Sequence, residues 1–313
     1  MQNHVFFKFF WILWSLLTPL MASQALADTN KDFYQKLIRE VDGRKTITIS
    51  VYYGFLEMIA DEHTSELKSV RFEGAYDWGP DEKTKLKNFL LESCAGKDNQ
   101  RCGFHVVDPR NDDILEKEVT LFGKTLTLHV RLRSVTKLPN RHSSYNDPQL
   151  RALGESWERE LEESLKTDSV IMILSHSRIG GGPDPFYPEI SNIGKILYHT
   201  YYFKEKRGLK VITGDYAPIG QNQIFVVGAC YSHNYFYKDI RANVARQGKP
   251  DDEFLYLGTK RILNLVDFDV ATKEIISGLS VGEGPQQLST AWKNPQGTGP
   301  DTCFAFDQNW TKN

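Results

Sequence analysis

Val170-Ile171-Met172-Ile173-Leu174, followed at once by Ser175-His176-Ser177, is the stretch on which the fold of this chain turns. Five apolar residues without a polar break, bounded by turn residues, read as a strand buried on both faces. Ile224-Phe225-Val226-Val227 repeats the pattern and runs into Gly228-Ala229-Cys230-Tyr231-Ser232-His233. A strand buried on both faces needs helices above and below it. Asp147-Pro148 opens a charged amphipathic helix that should run to about Lys166. Further helices are expected over 190–206 and 234–247.

Farther out the alternation continues. A short helix is expected over about 30–41, and Thr46–Tyr53 alternates as a strand that Gly54 stops. Asp81–Ser93 has helical spacing, Phe104–Val107 is a short strand, and Glu118–Phe122 with Thr125–Arg133 form a hairpin about Gly123-Lys124. Leu209–Ile212 is expected as a minor strand, Phe254–Leu257 as another, and 269–277 as a helix. From Gly282 onward the Pro- and Gly-rich chain is expected to be an irregular tail. Strands alternating with helices predict an α/β domain, a mostly parallel central sheet with helices on both faces, over 28–281.

The first 27 residues are of another kind. After Lys8 an apolar run of about fourteen residues falls short of the roughly twenty that a spanning helix needs. It ends in Ala25-Leu26-Ala27, a pattern accepted by signal peptidases, just before Asp28-Thr29-Asn30. Residues 1–27 therefore read as a cleavable signal peptide, with a periplasmic or extracellular destination and no membrane span in the mature chain. The formal net charge of −2 gives no reason to expect a nucleic-acid partner. In an oxidising compartment disulfides persist. Of the four cysteines, Cys94 and Cys102 bracket a short polar loop and are the natural pair, while Cys230 ends an apolar strand and Cys303 lies in the tail.

In sheets of this kind sites form where strands end at their carboxyl edge. One apolar strand delivers His176 there and the other Cys230. A thiol nucleophile needs a His partner and donors for an oxyanion, and a helix N-terminus after Cys230 favours the thiolate. Gly180-Gly181-Gly182 after His176 is expected to let backbone amides approach a ligand. No His-Glu-x-x-His or paired Cys-x-x-Cys occurs, so neither a metal nor a cofactor is expected.

An apolar strand ending in His and a later one ending in Ala-Cys resemble the caspase-like cysteine peptidases. The separation of 54 residues between His176 and Cys230 is close to the roughly fifty expected of caspases. The resemblance covers about residues 45–280 as a pattern and two short blocks as motifs. It implies a peptide or protein substrate, with His176 as general acid/base, Cys230 as nucleophile, and the amides of Ser177 and Cys230 as oxyanion donors. Arg178 and Asp184 are candidates for substrate specificity. The chain departs from the family in having Ser177 directly after the His, and Tyr231-Ser232 after the Cys. Two alternatives stand beside it. One is a peptide-binding envelope or secreted protein without catalysis. The other is an α/β-hydrolase in which Ser177, within Ser175-His176-Ser177-Arg178-Ile179, is the nucleophile.

Overall fold

The computed structural model describes residues 28–54, 78–92, 102–135, 148–175, 177, 180–183, 204–260, 265–293 and 304–306. The expected signal peptide lies outside them, as does almost all of the helix expected over 190–206. Helix α1 (residues 28–37) leads into a hairpin whose turn is set by two left-handed residues, Asp42 (φ 50°) and Gly43 (φ 73°). That is the type I′ geometry for which Asp-Gly is the strongest short signal. It folds β1 (Arg39–Val41) antiparallel onto β2 (Arg44–Tyr53), so the first helix stops earlier than its expected end at 41.

After α2 (Trp78–Leu91), β3 (His105–Asp108) pairs antiparallel with β4 (Asn111–Leu121). Phe122 (φ 52°) and Gly123 (φ 73°) then turn β4 onto β5 (Lys124–Ser134), one residue ahead of the expected turn. Next come α3 (Pro148–Thr167), β6 (Val170–Leu174), α4 (Arg207–Ile212), β7 (Gln223–Gly228), α5 (Ser232–Arg246) and β8 (Phe254–Thr259). Leu209–Ile212, expected as a strand, belongs to helix α4. A four-residue apolar run fits either state, and burial of Leu209, Val211 and Ile212 in one cluster with α3 residues Leu161 and Leu165 favours the helix.

The sheet order is β3-β4-β5-β2-β6-β7-β8-β9. Strands β5, β2, β6, β7 and β8 run parallel, and the outer pairings are antiparallel. Alternation along each parallel strand sorts its residues onto two faces. Ile49, Val51, Val170, Met172, Ile224 and Val226 meet α1, α2, α6 (Leu265–Ser280) and α7 (Pro285–Lys293) in one cluster. Tyr52, Ile171, Ile173, Phe225 and Val227 meet α3, α4 and α5 in the other. Helices thus cover both faces, as the uninterrupted apolar strands require.

Within the stretch expected as an irregular tail, residues 285–293 form a helix and 304–306 a strand. Helix α7 places Leu288 and Trp292 fully inside, with the Trp292 indole N–H donating to Gly258 O at 3.0 Å. Strand β9 (Phe304–Phe306) adds antiparallel to β8. The Pro and Gly content suggested loops. Two large apolar side chains in a nine-residue segment were the stronger clue, because each gains a few kcal/mol on burial. Among the described residues no helix is long and apolar enough to cross a membrane.

Candidate active site

Numbered along the chain, the five parallel strands lie in space as 2-1-3-4-5. The direction of winding reverses between β2 and β6, and the crevice at the carboxyl ends beside such a reversal is where ligands bind in doubly wound sheets. The two strands leave that edge in close contact. Gly54 donates its amide to Leu174 O at 2.8 Å, and a Cβ on Gly54 would sit 2.7 Å from Ser175 Oγ. Next to them, Leu174 pairs in register with Gly228, and the Ser175 amide donates to Gly228 O at 3.2 Å. Ser175 and Ala229 thus continue two neighbouring strands past their last paired residues.

Cys230 follows Ala229, half-buried, with its thiol outside any disulfide. The next residue, Tyr231, takes a left-handed conformation (φ 54°) and forms the N-cap of α5, so chain direction changes within one residue of the thiol. A bulky side chain at positive φ is uncommon, and the neighbouring structure must hold it there. Ser232 and Thr259, both fully buried, supply that hold.

Continuing the register Val226↔Leu257, a regular parallel ladder would bond Thr259 N–H to Val227 O. The Ser232 hydroxyl sits between these groups instead. It accepts from Thr259 N–H at 2.8 Å and donates to Val227 O at 2.6 Å. In return Thr259 Oγ1 donates to Ala229 O and accepts from the Ser232 amide at 3.3 Å. Tyr256 completes the clamp, its hydroxyl donating to Ser232 O at 3.1 Å. None of these three residues was a sequence-derived candidate. The available signal was a Ser two residues ahead of the helix expected from 234, which is usually read as a cap. Here its hydroxyl bridges two strands.

The glycine run behaves differently from its expected role. The amides of Gly180 and Gly182 both donate to Ser177 O, at 3.0 and 3.3 Å, which commits them within the turn. Gly182 (φ 100°) lies so close to α4 that a Cβ would come 2.1 Å from the Leu209 amide nitrogen, and Gly180 (φ 91°) faces the Tyr235 ring. These glycines permit the loop to pack on α4 and α5. Ser177 itself is buried. The sharp strand-to-helix turn with a left-handed residue stands at Tyr231, after β7. His233 stacks on Tyr237 of α5, ring centroids 4.6 Å apart.

His176, Arg178, Asp184, Cys94 and Cys303 lie outside the described residues. Cys102 is disulfide-bonded.

A second polar feature occupies the opposite, amino-terminal edge of the parallel strands. A cavity of about 400 Å³ is lined by Arg44, His105, Glu116, Lys117, Glu118 and Thr127. Buried Glu116 accepts from both Arg44 guanidinium nitrogens, at 3.1 and 3.2 Å, and lies 2.8 Å from His129 Nδ1. Burial by itself would raise the Glu116 carboxyl, but the bonds to His129 and Arg44 outweigh it and hold the group below its ordinary value. Among the described residues no group of His, Cys, Asp and Glu is assembled to hold a metal ion. No protein-family model and no curated protein matches the sequence.

Proposed function

We propose that this chain is an exported Cys/His peptide-bond hydrolase of caspase-like type, with Cys230 as nucleophile and His176 as its partner. The observation that carries the reading is the register of β6 and β7. Leu174 and Gly228 are directly paired on neighbouring parallel strands, and His176 and Cys230 each follow two residues later in the chain. A half-buried thiol directly ahead of Tyr231, the N-cap of α5, supports it, because the turn there holds the sulfur at the carboxyl end of β7.

In the proposed reaction the Cys230 thiolate attacks the carbonyl carbon of a substrate peptide bond. A C–S bond forms, and the carbonyl π pair moves to oxygen, where the Ser177 and Cys230 amides stabilise it. The intermediate collapses with C–N cleavage. His176 gives its proton to the leaving amine; water then hydrolyses the thioester to a carboxylate and the restored thiol, and the remaining proton returns to His176. Arg178 and Asp184 are the proposed specificity residues. Export, a mature start near Asp28 and a Cys94–Cys102 bridge belong to the same proposal. N-terminal sequencing and non-reducing peptide mapping test those parts.

The function is tested by incubating the exported protein with a mixed peptide library and sequencing the new termini. Cleavage that is lost in Cys230→Ala and His176→Ala, with both variants folded, is the expected result. Cleavage that survives Cys230→Ala, or no cleavage by the wild type, overturns the hydrolase reading and leaves a peptide-binding protein.

A further inference from the structure

The geometry points to Thr259 of β8 as a positioning residue that aims the Cys230 backbone N–H at a developing oxyanion. The inference rests on the reading of Cys230 as nucleophile. Ala229 C=O and Cys230 N–H belong to one planar trans peptide unit, so they point in opposite directions. The Ala229 oxygen is held on the β8 side, where it accepts from Thr259 Oγ1 and, at 3.1 Å, from the Ser232 amide. The Cys230 N–H must then face the other way, toward β6. Alternation along β7 gives the same answer, since Gly228 O already faces β6 and accepts the Ser175 amide at 3.2 Å. The peptide plane beside the thiol is thereby fixed from behind by a side chain that is fully buried.

Fixation matters for one kind of reaction and is irrelevant to another. Attack of the thiolate on a carbonyl creates an oxyanion next to the Cys230 sulfur, and a donor helps only if it is already aimed there. Displacement of iodide from iodoacetamide forms a C–S bond at a saturated carbon and releases I⁻, with no oxyanion. Losing the Thr259 hydroxyl should therefore slow the first reaction and spare the second. The Ser232–Val227 and Ser232–Thr259 backbone bridge does not involve Thr259 Oγ1, so it remains in the variant.

p-Nitrophenyl acetate is a suitable acyl donor because its acetyl group has no side chain for a specificity pocket to judge. The Cys230 thiolate adds to the ester carbonyl, the oxyanion collapses, p-nitrophenolate leaves, and an acetyl thioester remains on sulfur. Its burst is measured against a Cys230→Ser blank, beside iodoacetamide alkylation of Cys230 followed by peptide mass mapping. Removing one oxyanion donor outright costs about 10²–10³-fold, so a donor left in place but loosened should cost about ten-fold or more. Thr259→Val is expected to show that loss in acylation with alkylation within about two-fold of wild type. Thr259→Ser should retain both rates. If Thr259→Val does not fold, Thr259→Ala carries the same comparison. A wild-type ratio of the two rates in the hydroxyl-less variant, or an equal fall in both, overturns the positioning role alone. Wild-type acylation no faster than that of free N-acetylcysteine overturns the nucleophile reading itself.

Discussion

Replacing Ser232 by alanine removes a hydroxyl that stands between two strands of the sheet. Its oxygen accepts from Thr259 N–H at 2.8 Å and donates to Val227 O at 2.6 Å, both in a fully buried setting. Alanine leaves a backbone donor and a backbone acceptor facing each other across the gap. Each unmet buried group costs about 1–3 kcal/mol, so the loss is about 2–6 kcal/mol if the gap persists. The strands could recover the energy by closing to a direct Thr259–Val227 bond. Thr259 Oγ1, bonded to Ala229 O, and the left-handed turn at Tyr231 oppose that closure. The prediction is therefore the open-gap value. In urea, with a slope of about 2 kcal/mol/M, the unfolding midpoint should fall by about 1–3 M with the slope unchanged. A loss below about 0.5 kcal/mol would show that the strands close and that Ser232 is not what holds the Cys230 turn.

Three further changes probe the rest of the account. Gly182→Ala should destabilise by about 3 kcal/mol or more, since the backbone is at φ 100° and the new Cβ meets the Leu209 amide at 2.1 Å; urea unfolding like wild type would mean that this loop does not pack on α4. Trp292→Ala should cost about 3–5 kcal/mol by the same assay, whereas a loss under about 1 kcal/mol would return the stretch after Gly282 to the status of a tail. Glu116 has a carboxyl held low in the folded state, so its contribution is complete above the unfolded value of about 4.3 and fades as pH falls through the lower folded one. The stability gap between wild type and Glu116→Gln should therefore shrink below about pH 4.3, and a gap that stays constant from pH 6 to 3 would contradict the ion-pair assignment.

Much of the parallel core could be read directly because strands buried on both faces leave continuous apolar runs. Val170–Leu174 and Ile224–Val227 are legible that way, and β6 and β7 occupy them. Local readings failed where two structures share one pattern. Leu209–Ile212 suits a strand or a helix turn equally, and only its packing with α3 separates them. Asp42-Gly43 carried a strong turn signal that a helix expected to reach residue 41 obscured. The clamp on the Cys230 turn was hidden for a different reason. Ser232 and Thr259 are 27 residues apart, and no spacing rule announces that two small polar side chains will meet between β7 and β8. Pro and Gly content after residue 282 drew attention to loops, while Leu288 and Trp292 marked a helix that completes the core.

The central claim is that His176 activates Cys230, and the rate of Cys230 alkylation by iodoacetamide at neutral pH tests it most directly. In wild type the account predicts rapid alkylation at neutral pH, because a thiol served by a base is an activated nucleophile. His176→Ala should slow the reaction at neutral pH by about ten-fold or more, since the thiol then lacks its base. Alkylation of Cys230 in His176→Ala at the same rate as wild type would contradict the claim.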